Sequence, residues 1–272
     1  MDAGGSGAGV YAPGMASAGR ASQRNQSVRK AIALLRATAV EGHGANVSAL
    51  ARSAGLPRAT ALRLIQTMEE EGFLLRVRAG DRIVLGPELV RLARRADLGA
   101  VLADLARPRL EEVGREVGET ATLSVVARDG GLDVVQQVDG PYLMGPLNWV
   151  GQRFALHASS SGKVLLAHLN PAGLDERLAQ PLEPLTRATI TRPAALRAEL
   201  DQVRRQGYAT TVDELEEGLA GVSVGVLGEG DALVGVVNVS GLTQRLDHGA
   251  LRRMVPRLRA VADALEDALR SA

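Results

Sequence analysis

The chain has 272 residues, a nearly balanced charge of 32 Lys and Arg against 31 Asp and Glu, and no cysteine. The lack of cysteine excludes disulfides, thiol catalysis, iron–sulfur clusters and Cys-ligated zinc. The four histidines lie far apart without an HExxH pair, no apolar run approaches the roughly 18–20 residues of a membrane span, and the N-terminus lacks a signal-peptide pattern. We therefore expect a cytoplasmic protein with no metal site, no cofactor and no membrane contact.

Charge is distributed unevenly along the chain. Residues 1–95 carry 14 Lys and Arg against 7 Asp and Glu, whereas residues 96–272 carry 18 against 24. The basic first part is suited to a partner of negative charge, and the second part is not. A chain of this length predicts two domains, because domains typically contain about 100–200 residues.

The first part of the chain predicts a small helical domain. Residues 1–24 are mostly Gly, Ala and Ser, which indicates a disordered tail because little of it can be buried. Helical spacing of apolar residues predicts a helix over Ser27–Val40, with Ser27 as its cap, and a short helix over Ser48–Ala54. A third helix is predicted from about Pro57 to Glu71, since proline is favoured in the first turn of a helix.

A basic hairpin and a connector follow. Phe73–Arg78 and Arg82–Leu85 alternate apolar and basic residues about a Gly-containing turn, which predicts two antiparallel strands. Helices are predicted from Pro87 to about Arg95 and from about Leu98 to Val117, the second interrupted at Pro108. We interpret these helices as the connector between the domains.

The remainder alternates strands and helices, which predicts an α+β sandwich with an antiparallel sheet. Its predicted strands are Thr120–Arg128, Leu132–Val138, Gln152–Leu156, Ala209–Asp213, Val222–Leu227 and Ala232–Ser240. Its predicted helices are Ser159–Leu169, Ala194–Gln206 and a last amphipathic helix from about His248 to Leu269.

The start of the third helix has the composition of a DNA-reading helix. Small residues let the backbone approach the major groove, while arginine and threonine reach base edges or phosphates. The hairpin arginines would contact the flanking backbone, and the start of the second helix offers a hydroxyl and free amides to a phosphate. The candidate DNA-binding residues are Ser48, Arg58, Ala59, Thr60, Arg63, Arg76, Arg78 and Arg82. The alternative is that these arginines form only a solvated face of a small helical bundle.

Several blocks, in order, resemble the IclR-type transcriptional regulators over residues 25–272. The blocks are VSALARSAGLPRATALRLIQTMEEEGFLLR at 47–76, LGPELVRLA at 85–93, RPRLEEVGREVGETATLSVV at 107–126, LHASSSGKVLLAHL at 156–169, TRATITRPAALRAELDQVRRQGYATTVDELEEGLAGVSVGV at 186–226 and VNVSG at 237–241. The resemblance implies a winged helix-turn-helix over residues 25–86, a linker helix over 87–106 and a GAF-like effector-binding domain over 107–272. It also implies a dimer or a dimer of dimers, and the twofold symmetry of a dimer would select a palindromic operator.

The segment His157–Lys163 admits several interpretations. It fails the phosphate-loop pattern at both ends, where His157 and Val164 stand in place of Gly and of Ser or Thr. Ser160 and Lys163 match the S-x-x-K pair of some hydrolases, but the chain shows no clear supporting S-D-N or K-T-G motif. Small hydroxyl residues at a helix start can instead hold a carboxylate, because the amides and the helix dipole favour an anion.

In IclR-type regulators this block forms one wall of the effector pocket, and the resemblance places further residues around it. The implied effector-binding residues are Leu123, Val125, Met144, Leu147, Ser159, Ser160, Ser161, Asp213, Asn238 and Ser240. For Asp213 and the acids that follow it, an exposed solvated loop is an equal alternative. Gly221-Val222-Ser223 is less polar than the corresponding strand in the family, which favours a larger aromatic or aliphatic acid.

The sequence therefore predicts a DNA-binding transcriptional regulator whose operator affinity changes with a small organic-acid effector, without catalytic residues of its own. Two alternatives stay open. One is an architectural DNA-binding protein that needs no ligand, and the other is a small-molecule enzyme with an appended DNA-binding domain.

Overall fold

The structure is a computed structural model that describes residues 25–42, 44–77, 81–93, 95–141 and 148–271. The predictions for the tail 1–24, for Arg78 and for Met144 and Leu147 lie outside these ranges. The chain divides after Ala96 into two compact units, which are described one at a time.

The first unit contains three helices, a hairpin and a further short helix. Its elements are α1 (Gln26–Val40), α2 (Val47–Ser53), α3 (Arg58–Glu70), β1 (Leu74–Val77), β2 (Arg82–Leu85) and α4 (Pro87–Ala93). The side chains of Asn25 and Asn46 accept hydrogen bonds from the first turns of α1 and α2, so that Asn25 and not Ser27 caps α1. Leu34, Leu50 and Ile65 are fully buried where the three helices meet. The predicted winged helix-turn-helix is confirmed.

The second unit is built on a five-stranded sheet in the order β4-β3-β7-β6-β5, with every neighbouring pair antiparallel. Its strands are β3 (Thr120–Val126), β4 (Leu132–Val138), β5 (Tyr208–Val212), β6 (Leu219–Leu227) and β7 (Leu233–Leu242). Its helices are α5 (Leu98–Val117), α6 (Ser160–His168), α7 (Pro171–Leu178), α8 (Pro193–Gln206) and α9 (His248–Ser271). The mixed helix and antiparallel-sheet class predicted for this part of the chain is confirmed.

The two faces of this sheet differ in composition because successive strand residues point to opposite sides. One face, which includes Leu123, Val222 and Val239, packs against α5 and α9 in the larger apolar core. The other face is apolar only in part. It packs against α6, α7 and α8 through residues such as Val236, and it carries polar side chains over the rest of its area.

Two predictions of local structure were wrong. Residues 152–155 are irregular and 156–158 form a turn, where a strand was predicted. The alternation there comes from Phe154 and Leu156, which pack against the core beneath α6 and not against a neighbouring strand. Helix α5 also continues through Pro108, which lies on its exposed side, where water can satisfy the carbonyl group that loses its amide partner.

No helix in the described ranges is both long enough and apolar enough to cross a bilayer.

Candidate nucleic-acid interface and ligand cavity

Helix α3 is anchored by one face and leaves the other open. Ala61 and Ile65 are fully buried, whereas Arg58, Ala59 and Arg63 are exposed. The first turn of α3 carries no acidic residue. Its amides and the positive end of the helix dipole therefore remain available to a phosphate.

The starts of α2 and α3 are joined by a side-chain contact. Arg58 Nε donates a hydrogen bond to Ser48 Oγ over 3.0 Å, and both groups are exposed. Thr60 is half-buried one position beyond Ala59. Ser48 and Arg58 therefore lie on one surface, beside Ala59 and Thr60 in the first turn of α3, and their contact with DNA stays a prediction.

Gln66 was not among the predicted DNA-binding residues. It is exposed and follows Ala59 and Arg63 along the same face of α3, at the spacing of four and three residues that places helix positions in one row. A glutamine amide can both donate to and accept from an adenine edge. The periodicity that assigned the buried face would have identified Gln66, because it marks the open face equally well.

Arg76 does not have the free side chain that a phosphate contact requires. Its guanidinium makes two hydrogen bonds to the Glu69 carboxylate, of 2.9 and 3.3 Å, and a third of 2.5 Å to Asp81 Oδ1. These carboxylates raise the pKa of Arg76 above its usual value. Arg76 therefore ties the hairpin to α3 and positions it. Arg82 is exposed at the start of β2, and Arg78 lies outside the described ranges.

The second unit contains a cavity, partly open to solvent, between the polar face of the sheet and the start of α6. Thr122 and Ser124 of β3 and Asn238 and Ser240 of β7 form part of its floor. The walls include aromatic and apolar side chains, with Trp149 and Phe154 in an edge-to-face contact whose ring centres are 6.1 Å apart. Its other lining residues are Val134, Ser159, Ser160, Ser161, Thr211, Leu215, Leu219, Ala220 and Gly221.

A network of hydroxyl groups fixes the start of α6 on the sheet. Ser223 Oγ lies 2.8 Å from Ser160 Oγ and 3.0 Å from Ser161 Oγ. The Asn238 amide nitrogen donates to Ser160 Oγ over 3.1 Å and to Ser223 Oγ over 3.0 Å. Ser159 Oγ caps α6 by accepting from the Gly162 amide over 3.1 Å. These contacts keep the hydroxyl groups of α6 in fixed positions at the cavity.

Ser124 differs from these residues because its hydroxyl group has no hydrogen-bond partner among the described residues, although the residue is only 1% exposed. A buried polar group without a partner costs about 1–3 kcal/mol. The lining residues within the described ranges carry no charged side chain. The cavity therefore offers hydroxyl groups, helix amides and aromatic surface, and Ser124 retains an unused hydrogen bond.

A buried ion pair stands behind the cavity and joins two of its walls. Lys163, the fourth residue of α6, is fully buried, and its Nζ lies 2.7 Å from Glu214 Oε1 and 3.4 Å from Glu199 Oε1. Burial raises the pKa of the Glu214 carboxyl, and Lys163 opposes that shift only in part. The Glu214 carbonyl accepts from Thr189 Oγ1 over 2.7 Å, so the loop that presents Leu215 to the cavity is anchored at both its side chain and its backbone.

Three of the residues assigned to the pocket by resemblance do not line this cavity. Leu123 and Val125 point to the opposite face of the sheet and pack in the core beneath α5 and α9. Their neighbours Thr122 and Ser124 line the cavity in their place. Because successive strand residues point to opposite faces of the sheet, a shift of one residue changes the face, and the alternation of the strand could have indicated this. The Asp213 carboxylate accepts from the Gly218 amide over 2.6 Å and shapes its own turn, where the backbone of Asp213 is left-handed.

The remaining predicted cavity residues, Ser159, Ser160, Ser161, Asn238 and Ser240, do come together around one space. Trp149, Phe154 and Leu215 were missed, because they lie on loops where no periodicity shows which side chains turn inward.

The contacts of Ser160 and Lys163 do not match a hydrolase pair. Ser160 Oγ is bonded to Ser223 and Asn238, while Lys163 Nζ is held by Glu214 and Glu199. An S-x-x-K nucleophile needs the lysine amine as a neighbouring base. Here the two side chains serve different contacts.

The chain was compared with known proteins. Residues 27–78 match the family described as "IclR helix-turn-helix domain", and residues 99–267 match "Bacterial transcriptional regulator IclR C-terminal". The chain is 36% identical over 211 residues to the HTH-type transcriptional regulator Rv1719 of Mycobacterium tuberculosis, a match that covers 78% of this chain and 80% of the relative. It is 31% identical over 227 residues to the glycerol operon regulatory protein of Streptomyces coelicolor, covering 81% and 86% of the two chains.

A solved structure is also similar over nearly the whole chain. It is an IclR homolog from Microbacterium hydrocarbonoxydans in complex with 4-hydroxybenzoate, with a TM-score of 0.59 and 28% identity. The match covers 90% of this chain and 100% of that one.

Proposed function

The chain belongs to the IclR family of transcriptional regulators, and from that premise we propose that it binds a palindromic operator as a homodimer or a dimer of dimers and that a small organic acid in the cavity changes its operator affinity. Because the proposed target is chromosomal DNA, we expect the protein to act in the cytoplasm. The observation that supports ligand binding is that Ser124, which lines the same cavity as the start of α6, has a buried hydroxyl group without a hydrogen-bond partner among the described residues.

The proposed DNA contacts lie on the open face of α3. Arg63 and Gln66 are the proposed base-reading side chains, because they project from the middle of the helix. Ser48 and Arg58 are the proposed phosphate contacts at the starts of α2 and α3, and Ala59 and Thr60 allow a close approach. Arg78 and Arg82 of the hairpin are the proposed contacts to the flanking backbone.

The proposed effector is a monoanionic acid with an aromatic or similarly bulky body. Its carboxylate would lie at the start of α6 near Ser160 and Ser161, where the helix dipole favours negative charge. Its body would pack against Trp149 and Phe154, and a polar substituent would reach Ser124. The complex of the Microbacterium homolog with 4-hydroxybenzoate supports this class, because that ligand has a carboxylate, a ring and a hydroxyl group.

The proposed mechanism is thermodynamic linkage. The acid binds one arrangement of the C-terminal units more tightly than another, and the helices α4 and α5 connect those units to the DNA-binding domains. The effector can change DNA affinity only by the ratio of its affinities for the two arrangements.

The experiment is a fluorescence anisotropy titration of the protein against its own upstream intergenic DNA, with and without a panel of aromatic and aliphatic acids. We expect specific binding that one class of acid strengthens or weakens, and weaker, less sequence-selective binding by Arg63→Ala. Specific binding that every acid leaves unchanged, together with unchanged melting temperatures, would favour the architectural alternative, because a ligand that binds only the folded state raises the melting temperature.

A further inference from the structure

The outer face of α9 carries charges in an order that the helix itself does not favour. Between His248 and Ala262 the helix has four arginines and no acid, whereas Asp263, Glu266 and Asp267 follow in its last turns, ahead of a single arginine, Arg270. A helix dipole favours acids near the N-terminus and bases near the C-terminus. Asp247 caps the first turn through the Ala250 amide, but the longer arrangement of charges is reversed.

Small residues form a strip between these charges on the outer side of α9. Pro256 and Ala260 are exposed and Ala264 is half-buried, on the side opposite to the buried Leu258 and Leu265. Small side chains permit two helices to approach to about 8 Å between their axes. Arg253 and Asp267 stand at the two ends of this strip, each seven residues from Ala260.

We propose that this strip, formed by Arg253, Pro256, Ala260, Ala264 and Asp267, is a docking surface for the same strip of a second copy of this chain, with the two α9 helices antiparallel. A twofold axis at Ala260 places Arg253 of each copy opposite Asp267 of the other, because the two residues are equally distant from Ala260. The antiparallel arrangement also sets the two helix dipoles in opposition.

Arg253 and Asp267 both have side-chain atoms available for such an ion pair. Arg253 has no ion-pair partner within the described ranges. Asp267 is 76% exposed at its side chain and uses Oδ1 for Arg270 over 2.9 Å, so Oδ2 stays open. Arg257 lies closer to the centre, but it is already paired with Glu116 of α5 over 2.5 Å, and we assign it no part in recognition.

This docking surface extends the self-association proposed above, but it involves neither the DNA face nor the cavity. The two proposals can therefore fail separately, because a variant of α9 that no longer associates still presents α3 to DNA.

The first test uses the fact that the chain contains no cysteine. Ala260→Cys places one thiol per chain on the proposed axis, and a short bis-maleimide should join two full-length chains in high yield. Ala198→Cys is the matched control, because Ala198 is also an exposed alanine within a helix. Equal cross-linking of the two variants would overturn the proposal.

The second test exchanges the charges. Arg253→Asp and Asp267→Arg should each weaken the association of two chains through α9 by about tenfold, because the two ion pairs across the twofold axis become repulsive. The double variant should restore this association, because it exchanges the two charges. Each single change improves the charge order for the helix dipole, although Asp267→Arg also removes the exposed pair with Arg270, so a thermal melt of each variant checks that α9 is intact. Sedimentation velocity over a concentration series measures the effect. Unchanged masses in both single variants would overturn the proposal, as would a loss that the double variant does not reverse.

Discussion

At the scale of single side chains, α3 and the hairpin separate two kinds of arginine. Arg63 is exposed and projects from the open face of the helix, whereas Arg76 is held by Glu69 and Asp81. The sequence alone gives both residues the same role, because both are basic and lie near the predicted recognition helix. The difference arises from Glu69, which lies seven residues before Arg76 and meets it only after the chain turns into the hairpin.

Replacing each arginine should have distinguishable effects. Arg63→Ala should cost about 1–3 kcal/mol of operator binding and relax the sequence preference at one position, with an unchanged melting temperature. Arg76→Ala should lower the stability of the first unit by about 1 kcal/mol, because Glu69 loses its two-point partner. Anisotropy titrations and thermal melts separate the two outcomes. An Arg63→Ala protein that binds every operator variant as the parent does would contradict our placement of the reading face.

Ser124, which lines the cavity, and Ser223, which holds the start of α6 on the sheet, should also respond oppositely to replacement by alanine. Ser124→Ala should leave stability equal or slightly higher, because it removes a buried hydroxyl group that lacks a partner, and it should weaken effector binding by about three- to tenfold. Ser223→Ala should cost about 1–3 kcal/mol of stability, because Ser160, Ser161 and Asn238 lose a shared partner. Chemical denaturation and calorimetric titration with the active acid measure both effects. A destabilised Ser124→Ala protein would show that the hydroxyl group already has a partner.

At the scale of elements, the periodic parts of the sequence predicted most of the fold. Helices α3 and α9 and the strands of the sheet follow from apolar spacing, because each buries one face. The sequence could not show that residues 152–156 are a loop, since alternating apolar residues also arise where a loop packs against a core. For the cavity it predicted the helix start at Ser159–Ser161 but not the side chains from loops, such as Trp149, which depend on the path of the chain.

The pairing of α6 with the loop after β5 depends on Lys163 and Glu214. Replacing Lys163 leaves the buried Glu214 carboxylate without its nearest opposite charge, so Lys163→Met should lower stability by about 3 kcal/mol. Glu214→Gln should change stability less, because Lys163 keeps Glu199 as a partner. The double variant should be more stable than Lys163→Met, because Glu199 can turn to solvent and no buried charge remains unpaired. Chemical denaturation of the four proteins gives the coupling energy. Strictly additive losses would mean that the two residues act independently.

The same pair predicts a dependence of stability on pH. The pKa of Glu214 is raised above its usual value of 4.5, so the folded protein binds this proton more tightly than the unfolded chain does. The stability from this group is therefore fully present below pH 4.5 and is lost as the pH rises through the folded value. The difference in melting temperature between the parent and Glu214→Gln should therefore change as the pH rises from 4.5 through the raised pKa of the folded protein. A difference that stays constant over this range would show that the pKa of Glu214 is not raised in the folded protein.

At the scale of the whole molecule, positive charge is concentrated in the part of the chain that contains the proposed DNA-binding face. The excess of positive charge belongs to residues 1–95, while the cavity in the second unit is lined by uncharged side chains within the described ranges. DNA affinity should therefore depend steeply on salt, whereas binding of the proposed organic acid should depend on it weakly, because the described lining of the cavity carries no charged side chain.

The salt dependence gives a quantitative prediction for the dimer on its operator. Each phosphate contact contributes about −0.9 to the slope of log K against log salt concentration, so the three arginines assigned to phosphates in each DNA-binding domain of the proposed dimer, Arg58, Arg78 and Arg82, give a slope of about −5. Arg58→Ala should reduce the slope by about two, because the dimer loses one phosphate contact in each domain. Arg63→Ala should lower affinity with little change of slope, since a base contact releases no counterions. If Arg58→Ala kept the parental slope while Arg63→Ala reduced it, the roles assigned to these two arginines would have to be exchanged.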